Sequence, residues 1–592
     1  MSRGSKQWPA VLLSGLIALS PAMRGAMGAE VADGGERPNV LMIITDDQGY
    51  GDFGFRGNPV IRTPHLDKLA AESVELTRFY VSPVCAPTRA SLMTGRYNYR
   101  TGAIDTYIGR AMMHPGEVTL AEMLAGKGYR TGIFGKWHLG DNYPLRPMDQ
   151  GFQESLVHKG GGIGQPSDLP GGSSYFDPVL LHNGKAAQAE GYCSDVFTDA
   201  AMAFIEHQRD KPFFAYLAFN APHDPLEVPD EYERVYRQMQ LAREQFPETG
   251  QPLPEKINWA AVAKVYGMVT NIDDNLGRLL AKIDELDLSR RTIVVFLTDN
   301  GPAQARFNAG LRGTKGTVYE GGIRVPCLVR WPGRLEAGRK VDELAAHVDL
   351  VPTLLDACGL SAPEASRLDG RSAWKLLTGE QTEWPERTLF FQWHRGDVPE
   401  LFRAFAARGP RWKLVQAAGV PPGGFAAKLE LFDLLADPYE TTDLAAEKPE
   451  IVEQLRGEYE AWFRDVGATR GYEPPRIHLG SRHENPTLLT RQDWRGPRAG
   501  WAASSLGHWE VEVVEAGDYR LKLEFAPAAG AAHLVVGGQE LEQPLVDRKS
   551  QCEWDSVRLE RGPTRLEAWI AVDGETIGVQ YVEVERRKAE GR

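Results

Sequence analysis

Runs of apolar residues, each closed by polar groups, set the rhythm of the first half of the chain. Val40-Leu41-Met42-Ile43-Ile44 follows Asn39 and ends at Asp46-Asp47. Thr131-Gly132-Ile133-Phe134, Phe213 to Phe219 and Ile293-Val294-Val295-Phe296-Leu297 have the same character. An unbroken run of this length fits a strand covered on both faces, as in a parallel sheet. Helical patterns lie between the runs. The clearest spans Trp259 to Leu286, where Val262, Val265, Tyr266, Val269, Ile272, Leu276, Leu279, Leu280 and Ile283 recur near the helical period. Strands alternating with helices predict an α/β fold whose mainly parallel central sheet is flanked by helices. Ligands of such sheets bind at the carboxyl ends of the strands. Asp46-Asp47 and Asp299-Asn300 fall there.

After residue 384 the texture changes. Thr388 to Trp393, Phe402 to Ala407 and Trp412 to Val415 read as short strands, and residues 448 to 464 as a closing helix. The expected division is a catalytic α/β domain over 37–384 and a small α+β subdomain over 385–470. Residues 471–500, rich in Pro, Gly, Arg and Asn, read as a linker. Period-2 alternation in Tyr519 to Phe525, with related patterns at His508 to Val514 and Ile577 to Val584, predicts a β-sandwich over 501–592. Its Trp501, Trp509, Trp554 and Trp569 suit a core, with carbohydrate contact as the alternative.

The 592 residues exceed what one core organises. Composition is that of a globular protein, 42% hydrophobic and 25% charged. A net charge of -13 without a basic stripe excludes a general nucleic-acid partner. Arg3 and Lys6 precede an apolar stretch from Val11 to Leu19, and Ala26-Met27-Gly28 resembles a cleavage site. Residues 1–28 therefore read as a secretory signal peptide, too short in its apolar part to span a membrane. The mature protein is expected to be exported, periplasmic or extracellular. Five cysteines, an odd number without metal spacing, do not suggest a disulfide framework.

Three centres carry chemistry. Cys85-Ala86-Pro87-Thr88-Arg89 places Pro87 in a first helical turn and Cys85 just before a helix N-terminus, which favours negative charge. Arg89 adds a forked donor for sulfate, phosphate or carboxylate. Asp46, Asp47, Asp299 and Asn300 offer hard oxygen ligands suited to Ca²⁺ or Mg²⁺. Lys136, His138, His223 and Lys315 are the cationic or titrating candidates.

These residues resemble the signatures of the type I sulfatases, of the alkaline phosphatase superfamily. The resemblance covers roughly residues 37 to 445. It includes Gly135-Lys136-Trp137-His138-Leu139-Gly140, Ala221-Pro222-His223, Thr298-Asp299-Asn300-Gly301 and Arg312-Gly313-Thr314-Lys315-Gly316. Thr88 stands where the family more often has Ser. The resemblance implies that a formylglycine-generating enzyme oxidises Cys85 to formylglycine, whose hydrate attacks sulfur. It also implies that Asp46, Asp47, Asp299, Asn300 and residue 85 hold one divalent cation, Ca²⁺ ahead of Mg²⁺. Arg89, Lys136 and Lys315 would bind sulfate oxygens. His223, with Lys315, would protonate the leaving alcohol, Asp299 would accept a proton during attack, and His138 would take the proton that releases sulfate. Trp393-His394-Arg395 is a candidate contact for the sugar. The implied substrate is a sulfate monoester, most readily of a saccharide. The alternatives are a phosphonate or phosphate ester hydrolase of the same superfamily, and a catalytically silent carbohydrate-binding protein.

Overall fold

The computed structural model describes residues 37–172, 174–381, 383–417 and 428–587. The expected signal peptide lies outside them. Among the described residues the main sheet has ten strands. Its middle is five parallel strands in the spatial order Glu154–His158, Arg130–Lys136, Phe213–Ala218, Asn39–Thr45 and Thr292–Thr298. Antiparallel strands sit at the flanks, Cys327–Arg330 on one side and Val179–His182 with Lys185–Gln188 on the other.

Every residue of Asn39–Thr45 is buried, as its unbroken apolar run requires. Alternate side chains serve opposite layers. Val40, Met42 and Ile44 pack with helices Cys85–Thr94 and Leu350–Ala357. Leu41 and Ile43 pack with helices Cys193–His207 and Trp259–Glu285. The long helix begins where Asn258 accepts a hydrogen bond from the Ala261 amide at 3.1 Å.

A second, antiparallel sheet joins Leu389–Gln392, Phe405–Arg408, Trp412–Gln416 and Glu430–Asp433. Helix Pro449–Gly467 covers it, with Tyr459 stacked on Phe405 at 3.8 Å between ring centres.

The C-terminal region is built on one long strand, Gly517–Val536. Its first half pairs with Tyr581–Arg586 and its second half with Gly562–Val572, while Gln539–Leu559 follows it throughout. Register shifts between Glu524 and Gly530 mark where the strand passes from one set of partners to the other. The segment read as a linker is not one. Ile477–Leu479 pairs in parallel with His508–Val513, and Thr487–Thr490 pairs with Tyr581–Arg586. Strands of three and four residues set beside Pro475 and Pro486 are too short to display a period of 2. Trp494, from the same segment, is fully buried against Trp509.

This region packs on the catalytic body through Ile108, Met112 and Leu145, which share its apolar core. Met112→Ala should cost about 2–5 kcal/mol, read as a lower midpoint in urea unfolding. An unchanged midpoint would show that the C-terminal region does not rest on this face.

Candidate active site

Each parallel strand delivers a polar group at its carboxyl end. Asp46 and Asp47 follow Asn39–Thr45, Lys136 closes Arg130–Lys136, and Asp299 and Asn300 follow Thr292–Thr298. His223 sits just beyond Phe213–Ala218, its amide donating to the Asn220 carbonyl at 3.0 Å. Asp47 and His138 both hold left-handed backbone, at φ 64° and 61°. Such conformations cost energy and persist where the surroundings fix them, often at functional sites.

Cys85 is the first residue of helix Cys85–Thr94, one position further in than expected, and all ten residues of that helix are buried. No side chain caps its start. The first-turn amides and the positive end of the helix dipole are therefore available at position 85. Burial pushes the Cys85 thiol up, against the pull of Lys136 and Lys315.

The charges around it are paired. Arg89 Nε and Nη2 donate to Asp299 Oδ2 at 3.1 and 2.8 Å, and Nη1 donates to the Lys136 carbonyl at 3.1 Å. Lys136 Nζ donates to Asp46 Oδ2 at 2.5 Å, and Lys315 Nζ lies 2.6 Å from Asp47 Oδ1. Arg89 and Lys136 are wholly buried, and the bonds above tie them to Asp299 and Asp46. Lys315 reaches the cavity that Cys85 borders. Burial and Asp46 raise the Asp299 carboxyl to about 7, although Arg89 and Lys136 oppose the shift. Burial also opposes ionisation of Asp47, but Lys315 and His223 hold it well below the usual carboxylate range.

At the ends of the parallel strands Asp46 Oδ1 and Asn300 Oδ1 are buried oxygens without a hydrogen-bond partner. Asn300 directs its amide nitrogen to Asp47 Oδ1 at 2.8 Å, which leaves its oxygen free. Ligand atoms of Asp46, Cys85 and Asp299 lie within 4.8 Å of one another, as do those of Asp46, Asp47 and His223. A carboxylate oxygen and an amide oxygen left without donors among clustered acidic groups suit contact with a cation. The oxygen-rich donor set fits a hard divalent ion.

The histidines have defined tautomers. His138 Nε2 meets the Thr106 carbonyl at 2.6 Å, so Nε2 carries the proton and the unpartnered Nδ1 holds the lone pair. His223 Nδ1 meets the Asp224 carbonyl at 2.7 Å, leaving Nε2 as the base, 3.8 Å from Asp47 Oδ2. Burial and Lys315 depress His223 to about 4, and burial and Lys136 drive His138 well below its usual value. Both rings are thus neutral near pH 7.

Cys85, His138, His223 and Lys315 border one cavity of about 570 Å³. A family model named Sulfatase matches residues 38–360, and one named N-sulphoglucosamine sulphohydrolase, C-terminal, matches 314–463. The chain belongs to the sulfatase family. It is a sulfuric ester hydrolase of the alkaline phosphatase superfamily. Arylsulfatase A of Homo sapiens is 32% identical over 473 residues, covering 74% of this chain and 85% of that one. N-acetylgalactosamine-6-sulfatase of Canis lupus familiaris is 32% identical, covering 65% and 72%. Among solved structures, Ps i-CgsB in complex with k-i-k-neocarrahexaose superposes with a TM-score of 0.63 and 27% identity, covering 74% of this chain and 95% of that one.

Around this sulfatase site, the expected sugar contacts divide. Trp393 and Arg395 line the cavity. His394 does not; its Nδ1 donates to the Arg395 carbonyl and its Nε2 accepts from the Glu400 amide, both at 2.9 Å. Successive side chains of an extended segment point to opposite sides, so His394 ties down its loop instead. Sequence reasoning missed Thr106, Tyr107 and Gln165, which also line the cavity. The run Gly160-Gly161-Gly162 was the available signal. A Cβ on Gly161 would lie 2.6 Å from the His138 ring, and one on Gly162 3.0 Å from the His223 ring. Only bare backbone fits against both histidines.

Arg89→Ala would strand Asp299 as a buried, unpaired acid. The expected cost is about 3–5 kcal/mol, measured by denaturant unfolding, with loss of sulfatase activity. A variant as stable as the native protein would contradict the pairing.

Proposed function

We propose that this sulfatase is an exported enzyme that hydrolyses sulfate monoesters of saccharides, using formylglycine made from Cys85 and one bound Ca²⁺. The observation that carries the reading is the convergence of Cys85 at a helix start with three buried carboxylates, Lys315 and two neutral histidines at one cavity. Support for a saccharide comes from relatives whose own names specify sugar sulfates or a bound neocarrahexaose. Support for export is the basic-then-apolar leader.

Asp46, Asp47, Asp299 and Asn300, with residue 85, would hold the cation, which would supply positive charge to offset the sulfate and to acidify the nucleophile. Formylglycine, when hydrated, supplies one hydroxyl for attack on sulfur and a second through which sulfate is released, which a thiol lacks. The protein's own groups supply binding and proton transfer. Lys315 stays protonated and binds a sulfate oxygen from the cavity side. Arg89 and Lys136 keep Asp299 and Asp46 in place. Asp299, whose ligand atom lies within 4.8 Å of Cys85 Sγ, is placed to accept a proton during attack. His223 Nε2 faces the site, and the negative charge of bound substrate raises its affinity for the proton it gives to the leaving oxygen. His138 offers Nδ1 as the base that completes release.

Mass spectrometry of the active protein should find formylglycine at position 85, made by a formylglycine-generating enzyme. An intact thiol in fully active protein would contradict the mechanism. Chelation by EDTA should abolish turnover of sulfated saccharides, and Ca²⁺ should restore it better than Mg²⁺. Ca²⁺ at about 100 times its Kd should also stabilise the fold by about 2.7 kcal/mol. Full activity and unchanged thermal stability after chelation would contradict the cation site. If no sulfated mono- or oligosaccharide is hydrolysed while an aryl sulfate is, the saccharide assignment fails.

A further inference from the structure

The C-terminal β-rich region does more than cover an apolar face. It sends Trp501 into the wall of the cavity that contains Cys85, His138, His223 and Lys315. Trp501 meets Tyr107 edge to face, with ring centres 5.0 Å apart and planes at 73°. The Arg395 guanidinium lies 4.3 Å from the Tyr107 ring centre and 4.9 Å from that of Trp393. Trp393 Nε1 and Arg395 Nη1 both donate to Asp105 Oδ1, at 2.9 and 2.6 Å. Asp105 is fully buried, so this pair of bonds fixes the orientation of both side chains. At its inner end the wall touches the catalytic loop. A Cβ on Gly316, the neighbour of Lys315, would lie 2.9 Å from the Trp393 ring. One aromatic surface therefore runs outward from the sulfate-binding lysine through Trp393, Arg395 and Tyr107 to Trp501.

Both of its outer members are held by the C-terminal region. Arg491 donates to the carbonyls of Trp501 and Ala502 at 3.1 and 2.9 Å, and to those of Gly578 and Val579 at 2.8 Å each. Gln492 Nε2 donates to the Thr106 carbonyl at 2.9 Å, the same oxygen that orients His138. The Gly109 amide donates to the Gln492 carbonyl at 2.8 Å, and Arg495 Nη1 donates to the Gly109 carbonyl at 3.2 Å. These bonds brace the Tyr107 loop on one side and the Trp501 turn on the other. A surface braced in this way binds with little ordering cost.

We propose that Trp501 is a specificity-determining residue that stacks on the sugar ring next to the sulfated one. This rests on the saccharide reading above. The sulfated ring lies against Trp393, beside Lys315, and the adjoining ring reaches Tyr107 and Trp501. A pyranose has an apolar C–H face that matches an indole, which a flexible alkyl chain lacks. The C-terminal region thereby acts as part of the substrate site and not as a separate binding module.

The test compares a defined sulfated trisaccharide with the matching sulfated monosaccharide. Trp501→Ala should lower kcat/KM for the trisaccharide at least tenfold more than for the monosaccharide, chiefly through KM. Trp501→Phe, which keeps an aromatic face, should restore the trisaccharide value to within about threefold of native. Calorimetric titration of the trisaccharide into Cys85→Ser protein should show the same weakening on adding Trp501→Ala. Equal losses on both substrates, or an unchanged trisaccharide KM, would overturn the proposal and leave Trp501 with a packing role or none. If the native protein hydrolyses and binds neither sugar while it hydrolyses an aryl sulfate, the saccharide reading fails first and takes this inference with it.

Discussion

Three carboxylates and three cations are paired where the parallel strands end: buried Asp46, Asp47 and Asp299 against buried Lys136 and Arg89 and the partly exposed Lys315. Removing a charge from water costs several kcal/mol, so none of the six is tolerable alone. The rest of the site follows from that constraint. Asp46 and Asp299 must sit on adjacent parallel strands, Asn39–Thr45 and Thr292–Thr298, to share one space. Lys136 must close Arg130–Lys136, two strands away, to reach Asp46. The helix from Cys85 must lie against the same strand ends, so that Arg89, one turn in, meets Asp299. Pairing within this cluster is incomplete at Asp46 Oδ1 and Asn300 Oδ1, and that shortfall defines where a cation fits.

Much of this was legible in the sequence, because the groups that matter stand next to the apolar runs that become central strands. A run such as Val40 to Ile44 can only be a strand buried on both faces, and Asp46-Asp47 can then only lie at its carboxyl end. The long amphipathic helix was readable to within one residue, at Trp259–Glu285. The pairing partners were not readable. Nothing local in Arg89 says that it pairs with Asp299, 210 positions on. The split between Trp393, His394 and Arg395 depends on which way an extended loop turns. The misread linker shows the same limit, since Ile477–Leu479 and Thr487–Thr490 are strands only because partners far along the chain offer backbone groups to them.

The C-terminal region shows how distant sequence completes a local site. Thr106 presents one carbonyl to His138 Nε2 and to Gln492 Nε2, so the tautomer of a site histidine and the docking of the last fifth of the chain share an atom. Trp501 and Trp509 look alike in composition. One is sealed in the core beneath the sheet and the other borders the cavity. That difference arises from the turn pinned by Arg491, which a hydrophobicity pattern does not record.

The charge balance of the cluster also bears on which ester it accepts. Three carboxylates matched by three cations leave the cluster itself near neutral, so attraction for an ester anion would rest on the bound divalent cation, and a sulfate monoester, with a single negative charge, differs there from a phosphate monoester, which carries nearly two near pH 7. The most direct measurement is kcat/KM of the native protein for an aryl sulfate and for the aryl phosphate with the same leaving group. The account predicts that the sulfate is hydrolysed faster by orders of magnitude. Equal or faster hydrolysis of the phosphate would contradict it.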